Sequence, residues 1–435
     1  MDYLKKILRA PDLRSKILFI FLCLVFYRLI AHITVPGVNH EALTALFADN
    51  ELLGMFSLLT GGSMESFSII LMGLIPYINA SIIMQLMTVI VPRLEELNKE
   101  GERGRQKIAQ YTRYLTFPLA FLQSYGMIHL LNRSASASGA TLIENVDNWT
   151  TILPIMLIVS AGTIFLMWLG EMMTEKGIGN GISLLIFGSI VSGIPPILGQ
   201  TLGIARFDQS KIIPFIILLA ITIALTIFVV LVSEGARRIP VSYAGRTAIK
   251  GNQSVLPIRI NQAGMIPIIF AVSLVTFPTI IAQFMQSAES ESARNFSTWI
   301  LNNFNGAAPG LNYILLYFGF ILAFTYFYVS ITFDPKKIAE NIQKRGGFIP
   351  GIRPGRETAE YLGKTSNRLN LWGGTFLGFV ATLPIILQIF FAKQNFGSVP
   401  LLISGAGLII VVGVVLDLIR KINAQLIMHD YSKFK

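Results

Sequence analysis

The sequence predicts an all-α polytopic membrane protein, with ten transmembrane helices arranged in two inverted halves of five helices each. Three observations support this prediction. Hydrophobic residues make up 53% of the 435 residues and charged residues only 14%, whereas a soluble protein carries about 25% charged residues. Ten separate apolar stretches are long enough to cross a bilayer. A Gly-x-x-Pro motif also recurs at the start of the second and seventh stretches.

A transmembrane helix needs about 20 mostly apolar residues. The predicted spans are 17–35, 73–92, 114–132, 152–171, 182–202, 212–233, 262–285, 311–332, 371–391 and 400–416. The stretch 52–72 is also apolar, but Thr60-Gly61-Gly62 and Glu65 interrupt it. We predict that this stretch is a short re-entrant segment that enters from the outside and stays there. Irregular backbone is tolerated at membrane depth only where protein or a water-filled cavity surrounds it.

The distribution of positive charge predicts the orientation. The net charge is +11, and 29 of the 35 lysines and arginines lie in segments on one side of the predicted topology. Only five lie in the segments on the other side. Because cytoplasmic loops are enriched in Lys and Arg, we expect both termini to be cytoplasmic. The remaining residue, Arg28, lies within the first span, where it either extends to the outer surface or faces a wet interior.

The two Gly-x-x-Pro motifs indicate an internal repeat. The run GLIPYINASI begins at Gly73 and the run GMIPIIFAVS at Gly264, which places prolines at Pro76 and Pro267. Five spans is an odd number, so the predicted halves, 1–207 and 208–435, run through the bilayer in opposite directions. Several transport proteins are built this way, with the pathway between the halves. The alternative is that the motif recurs by chance.

The sequence carries no recognisable catalytic constellation. Its four histidines are scattered, and it contains no HExxH or GxSxG motif. The predicted spans contain no Asp, and their one Glu, Glu171, lies at a cytoplasmic end. Ion-coupled transporters usually need carboxylates within the membrane. The sequence therefore predicts a passive conduit that is not an enzyme and uses no cofactor or metal. A secondary transporter is the alternative.

One cytoplasmic loop has an unusual composition for this chain. Residues 346–355 read GGFIPGIRPG, with Lys344 and Arg345 before them and Arg356 after them. Proline restricts the backbone and glycine adopts conformations that other residues avoid, so the pattern predicts a loop of defined shape. Its positive charge suits an anionic partner. We therefore predict a docking loop.

Several long blocks carry a resemblance to a known family. They are PGV at 36–38, MFSLLTGGSMESFSIILMGLIPYINASIIMQL at 55–86, EGERGRQKIAQYTRY at 100–114, FLMWLGEMMTEKGIGNGIS at 165–183, NQAGMIPIIFA at 261–271 and FIPGIRPG at 348–355. From about residue 12 to about 431 the chain resembles the bacterial SecY family, the central subunit of the Sec protein-conducting channel. The resemblance implies a passive pore in the bacterial cytoplasmic (inner) membrane. Through it, unfolded secretory polypeptides cross the membrane and membrane helices leave sideways into lipid.

The resemblance also implies roles for particular residues. The re-entrant segment 52–72 corresponds to the family's plug helix, whose core is Ser57, Leu58, Leu59, Thr60, Gly61, Gly62, Ser63, Met64, Glu65 and Ser66. The aliphatic pore ring corresponds to Leu74, Ile78, Ile182, Ile186, Ile269 and Ile410. The lateral gate is formed by spans 2 and 7, with spans 3 and 8 behind, and these spans carry the polar residues Asn79, Gln85, Gln123, Ser273 and Thr276. Hydrogen bonds between helices could hold this gate shut, although simple helix packing is the alternative.

The partners are likewise implied by the resemblance. The loops 234–261 and 333–370 would bind the SecA motor ATPase or the translating ribosome. The candidate docking residues are Arg246, Lys250, Lys344, Arg345, Arg353 and Arg356, with Arg353 as the chief contact. SecE, and usually SecG, would complete the channel. Its substrates would be polypeptides bearing signal sequences, and membrane lipid would surround it.

Overall fold

The computed structural model describes residues 10–39, 41–43, 63–64, 66–137, 141–146, 148–207, 212–243, 254–285, 290–304, 310–393 and 404–432. Helices make up most of this part of the chain. They are α1 (Pro11–Ile30), α2 (Ile75–Ile90), α3 (Pro92–Lys99), α4 (Glu102–Ala137), α5 (Trp149–Lys176), α6 (Gly181–Phe207), α7 (Ile212–Glu234), α8 (Ile266–Met285), α9 (Glu291–Phe304), α10 (Leu311–Thr332), α11 (Pro335–Lys344), α12 (Arg356–Lys393) and α13 (Gly405–Ser432). The strands are β1 (Ala236–Tyr243), β2 (Ser254–Arg259) and β3 (Gly347–Phe348).

Each predicted span coincides largely with a helix, although α4, α12 and α13 continue well beyond the predicted ends. Within the described residues, five helical stretches are long and apolar enough to cross a membrane: Trp149–Lys176, Gly181–Gly199, Phe215–Glu234, Leu311–Lys344 and Arg356–Leu387. The pair α2 and α3 is a sixth candidate, bent by 99°. The bend follows from Pro92, which forces Val91 into an extended conformation. A helical membrane fold is therefore confirmed, and ten crossings remain a prediction.

The two Gly-x-x-Pro motifs adopt the same local structure. Gly73 has φ +53° and Gly264 has φ +65°, a left-handed conformation that glycine accepts without strain. In both motifs a helix begins two residues later, with the proline as its second residue. Proline is tolerated there because the first turn of a helix has no partner for the missing N–H. This shared conformation favours a true repeat over a chance recurrence of the motif.

The chain forms two compact units. The first comprises Met1–Gly203, Thr276–Ala308 and Val414–Lys435, and the second comprises Ile204–Val275 and Pro309–Gly413. The longest segment of the first unit therefore ends at Gly203, near the predicted boundary at 207. Two later segments of the chain also belong to this unit. The division of the chain into two inverted halves remains a prediction.

The core of the first unit packs α4 and α5 around the turns that follow residue 63. Phe67, Leu71, Ile128, Leu131 and Val159 are almost fully buried in this cluster. Beside it, the Tyr27 hydroxyl lies 2.6 Å from Ser189 Oγ. Arg28 Nη1 donates to Ser192 Oγ at 3.4 Å. Since Ser192 belongs to α6, the half-buried Arg28 contacts a neighbouring helix.

The second unit contains a small antiparallel sheet with the strand order β2-β1-β3. In the register, Ala236 faces Arg259 and Val241 faces Ser254, while Ser242 faces Phe348 and Tyr243 faces Gly347. The all-α prediction is therefore wrong at this place. The reason is an alternation in β1: Ile239 and Val241 are buried, and Arg238 and Pro240 are exposed. This period of two is typical of a half-buried strand.

The helix α12 is the centre of the second unit. Glycines on its surface let α10 approach closely: a Cβ atom at Gly374 would lie 2.9 Å from Leu322 Cδ2, and one at Gly378 would lie 2.6 Å from the Phe318 ring. Small residues have this role in helix packing within membranes. The first turns of α12 instead pack against the sheet through Leu362, which is fully buried. The predicted loop 333–370 is thus largely helical, and its irregular part is 345–355.

Candidate functional site

The two predicted docking loops fold into one structure, which we call the loop subdomain. It consists of β1, β2, α11, β3 and the first turns of α12. Six buried residues form its core: Ile239, Val241, Ile258, Ile342, Ile349 and Leu362. At the start of α11, Asp334 Oδ1 accepts hydrogen bonds from the backbone N–H groups of Lys336 and Lys337, at 3.0 and 3.2 Å. The side chain of Asp334 therefore caps the helix.

The glycines of the 346–355 loop explain its shape. Gly346, Gly351 and Gly355 have φ values of +70°, +82° and +97°, which favour glycine. Gly347 is needed for a different reason, because a Cβ atom there would lie 2.7 Å from Tyr243 Cε1. The loop therefore has one tightly packed glycine and three glycines at backbone turns. The prediction of a loop with defined shape is confirmed.

The loop presents its positive charges to the solvent. Lys344, Arg345, Arg353 and Arg356 are all exposed. The backbone carbonyl of Arg353 accepts a hydrogen bond from Thr358 Oγ1 at 2.9 Å. This bond fixes the backbone at Arg353 while its side chain projects outward. Arg246 and Lys250 lie outside the described residues.

In the first unit, the predicted pore residues fall in pairs one helical turn apart. The N–H of Ile78 donates to the carbonyl oxygen of Leu74 at 3.0 Å. Leu74 is buried, and Ile78, Ile182 and Ile186 are half-buried. Ile182 has a specific neighbour, because a Cβ atom added at Gly170 would lie 2.8 Å from Ile182 Cγ1. Part of the Ile182 side chain is therefore occupied in packing α6 against α5.

In the second unit, the two predicted pore residues lie on neighbouring helices. Ile269 on α8 is half-buried, and Ile410 on α13 is buried. A Cβ atom at Gly413 would lie 3.7 Å from Met265 Cβ, so the two helices are in contact. Gly413 follows Ile410 by about one turn, and Met265 precedes Ile269 by about one turn. If the helices are antiparallel, as the predicted topology requires, Ile269 and Ile410 lie at a similar level.

The predicted gate residues have varied surroundings. Asn79 is buried in α2. Gln85 Nε2 donates to Ser81 Oγ at 3.1 Å, so its amide bonds within its own helix. Gln123 Oε1 is buried without a hydrogen-bond partner among the described residues. Ser273 lies half-buried in α8, and the side chain of Thr276 lies outside the described residues.

Most of the predicted plug, 57–62 and Glu65, also lies outside the described residues. Ser63 and Met64 are fully buried. The residues from Ser66 to Leu74 form turns, except Ser68, which forms an isolated β-bridge with Thr34. Ser66 Oγ donates to the carbonyl of Ala31 at 2.8 Å. The backbone N–H of Val35 donates to the carbonyl of Phe67 at 3.0 Å. The end of the plug segment is therefore tied to the chain that follows α1.

One polar cluster was missed by sequence reasoning. Ser366 Oγ donates to Gln262 Oε1 at 3.1 Å, which ties α12 to the segment before α8. Gln262 Nε2 and the nearby buried Asn370 Oδ1 have no partner among the described residues. A Cβ atom at Gly373 would lie 2.6 Å from the carbonyl oxygen of Ile260. No sequence pattern indicates this cluster, since its members are about 100 residues apart.

Comparison with known proteins identifies the family. The SecY family model matches residues 68–419. The chain is 40% identical to the protein translocase subunit SecY of Corynebacterium glutamicum, over 98% of this chain and 97% of the relative. It superposes on a solved protein-conducting channel with a TM-score of 0.64 and 20% identity, covering 93% of this chain and 91% of that one. It also matches Sec61 from the canine ribosome–channel complex of the endoplasmic reticulum, with a TM-score of 0.61, 20% identity and coverages of 93% and 91%.

The fold is that of the protein-conducting membrane channels. The chain belongs to the SecY family, because both the family model and a relative at 40% identity cover most of its length. It is a protein translocation channel subunit.

Proposed function

We propose that this chain passes unfolded secretory polypeptides across the bacterial cytoplasmic membrane and releases membrane helices sideways into lipid. The pore is passive, and a partner motor or ribosome supplies the energy. Ten helices cross the membrane, and both termini are cytoplasmic. The concentration of 29 of the 35 lysines and arginines on one side of this topology supports the orientation.

In this proposal, the constriction is lined by Leu74, Ile78, Ile182, Ile186, Ile269 and Ile410. The spacing within the first unit supports the assignment, since Leu74 and Ile78, like Ile182 and Ile186, lie one helical turn apart and so share a helix face. An aliphatic constriction blocks ions because water leaves a narrow apolar passage. The same side chains hold a passing polypeptide without selecting its sequence, because they offer no hydrogen-bonding groups.

The segment 52–72, with its core at Ser57–Ser66, closes the resting channel as a plug. The hydrogen bonds at Ser66 and Phe67 support a fixed attachment at the C-terminal end of this segment. Movement of the plug would therefore begin on the N-terminal side of Ser63. The threonine and two glycines at 60–62 suit such a movement, because glycine weakens a helix.

The helices α2 and α8 border the lateral gate, with spans 3 and 8 behind them. The polar residues of the gate are Asn79 and Gln85 on α2, Gln123 on α4, and Ser273 and Thr276 on α8. Gln123 Oε1 supports this role, since it is a buried acceptor that receives no hydrogen bond from the described residues. A hydrogen bond between membrane helices contributes about 0.6 kcal/mol on average. A hydrophobic signal sequence would therefore displace a few such bonds. SecE, and usually SecG, completes the channel.

The observation that carries the docking proposal is the geometry of the 346–355 loop. Its backbone is fixed at Arg353, whose charged side chain remains exposed. Arg353 is thus the chief contact for SecA or the ribosome, with Lys344, Arg345 and Arg356 beside it and Arg246 and Lys250 on the other loop. Sec61, at 20% identity, was solved in a ribosome–channel complex, which supports a ribosomal partner.

The pore assignment is tested by crosslinking. A photo-crosslinking residue at Ile186 or Ile269 is combined with SecE, SecA, ATP and a stalled secretory precursor. We expect crosslinks to the mature part of the precursor that disappear without ATP. The control places the same group at Ile223, an exposed residue of α7. If Ile186 and Ile269 react no better than Ile223 while the precursor is engaged, the pore assignment is wrong.

The docking assignment is tested by charge reversal. Arg353→Glu should weaken SecA binding by about tenfold or more, which corresponds to about 1.4 kcal/mol. The control Lys336→Glu makes the same charge change at an exposed residue of α11, in the same subdomain. A loss shared equally by both variants would indicate nonspecific charge attraction. Unchanged binding in Arg353→Glu would contradict the assignment.

A further inference from the structure

The helix α9 lies outside the predicted spans and outside the site described above. Its fourteen residues, Glu291–Phe304, follow α8. Phe296 and Trp299 lie one turn apart with exposed fractions of 52% and 54%. Their rings are stacked, with centroids 6.1 Å apart and planes at 14°. Two large aromatic side chains are therefore held side by side on the surface.

The side chains of α9 divide into three sectors around the helix axis. At 100° per residue, Ser297 and Ile300 lie on one side, and both are buried. Glu291, Asn295 and Thr298 lie on the opposite side, and all three are exposed. Phe296 and Trp299 fall between these two sides, in a sector that also contains Ser292 and Asn303; we call this sector the aromatic flank. A helix that lies in a membrane interface inserts its apolar and aromatic side chains and keeps its polar side in water.

A hydrogen bond fixes α9 to the end of α8. Ser297 Oγ, which is fully buried, donates to the carbonyl oxygen of Ala282 at 2.5 Å. The residue before Ala282, Ile281, is 51% exposed, although it lies within the predicted span 262–285. On a spanning helix, an apolar side chain that the rest of the chain leaves uncovered is suited to contact with lipid. The aromatic flank is therefore anchored at the level where the lipid-facing surface of this helix ends.

We propose that α9 lies in the membrane–water interface, with Phe296 and Trp299 inserted among the lipid headgroups. Tryptophan is enriched at this depth because its ring is apolar and its N–H is polar. The polar sector would face water, and Ser297 and Ile300 would stay against the protein. The inference rests on the proposed function in one respect, since it requires α8 to cross the membrane.

In this position, α9 would limit the movement of α8 across the membrane. Ser297 forms a hydrogen bond with the backbone of Ala282, so α9 and the end of α8 move together. Because the aromatic flank stays at the depth of the headgroups, the end of α8 would move only a short distance along the membrane normal. An interfacial helix typically buries its apolar side by about 5–10 Å. The lipid surface thereby restrains one end of a helix that we assign to the lateral gate.

The depth of Trp299 tests the proposal directly. The chain has four tryptophans, so Trp149, Trp168 and Trp372 are replaced by phenylalanine to leave Trp299 alone. The complete channel complex is placed in phosphatidylcholine–phosphatidylglycerol vesicles containing lipid brominated either near the headgroup or near the chain end. We expect quenching of Trp299 to be about twofold stronger with the headgroup-proximal bromine, because the aromatic flank is shallow.

Two matched variants in a background with Trp299→Phe complete the test. Thr298→Trp places the indole in the polar sector and should show little quenching. Ile281→Trp places it on the spanning helix and should be quenched by the bromine deeper in the chain. If Ile281→Trp is quenched and Trp299 is not, the flank faces water or a protein, and the inference is wrong while the span stands. If neither is quenched, Ile281 does not face lipid either, and the inference fails together with the lipid-facing position of α8 on which it rests.

Discussion

Replacement of Gly347 by alanine is the sharpest test of how the 346–355 loop is held. Gly347 does not have a left-handed backbone, so the added methyl group matters only through its contacts. It would lie 2.7 Å from Tyr243 Cε1 and 3.0 Å from Ile342 Cγ2. Both neighbours belong to the loop subdomain, and Ile342 is 8% exposed. One of them must move, and overpacking of this kind costs about 1–3 kcal/mol.

Two other glycines provide matched comparisons. Gly351 has φ +82°, and no atom lies within 4 Å of the position that a new Cβ would take. Gly351→Ala therefore acts only through the strained backbone, which costs about 1 kcal/mol. Gly319 lies in α10 with ordinary φ and also has open space around it. Gly319→Ala should therefore leave the loop subdomain unchanged.

Hydrogen exchange of the intact complex, followed by mass spectrometry, measures the effect. Local opening exposes the amides of β1 and β3, and the exchange rate follows the population of the open form. A cost of 1–3 kcal/mol raises that population by about 5- to 150-fold, and the cost at Gly351 raises it by about 5-fold. Peptides that cover 236–243 and 347–348 should therefore exchange fastest in Gly347→Ala. If that variant exchanges like Gly319→Ala, the packing argument is wrong.

Three further substitutions follow from the same reasoning. Glu171→Gln removes the 2.7 Å ion pair with Arg113; because both side chains are partly exposed, it should lower stability by at most about 1 kcal/mol, measured as thermal unfolding in detergent. Gly405→Ala should prevent stable folding, since its Cβ would overlap the carbonyl oxygen of Val380; the yield of monodisperse protein, compared with Gly319→Ala, checks this. Leu362→Ala should destabilise the loop subdomain by about 2–5 kcal/mol, because Leu362 is fully buried; faster exchange in β1 with unchanged exchange in α5 would bear this out.

The sequence predicted those features that depend on single residues with strong local preferences. The glycines at 346, 351 and 355 indicated a shaped loop, and each has a positive φ. The prolines at 76 and 267 indicated helix starts, and both lie in a first helical turn. The spans coincide with helices because long apolar runs leave few other structures in a membrane.

Features that depend on contacts between distant residues were not predictable. The sheet needs β1 to find β3 about 100 residues later, and β3 has only two residues. The packing of Ile182 against Gly170 assigns a second role to a residue otherwise predicted only to line the pore. The aromatic flank of α9 was missed because a search for long apolar spans overlooks a helix with Glu291 and Arg294 in its first turn.

The long helix α12 connects the loop subdomain to the start of α8. Leu362 packs in the core of the loop subdomain. One turn later, Ser366 forms a hydrogen bond with Gln262. About two turns further on, Gly373 lies against Ile260. Residues 260–265 lead directly from β2 into α8. The loop subdomain is therefore joined to the start of α8 by two routes, through β2 and through the side of α12. Because packed interiors have low compressibility and transmit strain, we expect a displacement of the loop subdomain to reach the start of α8.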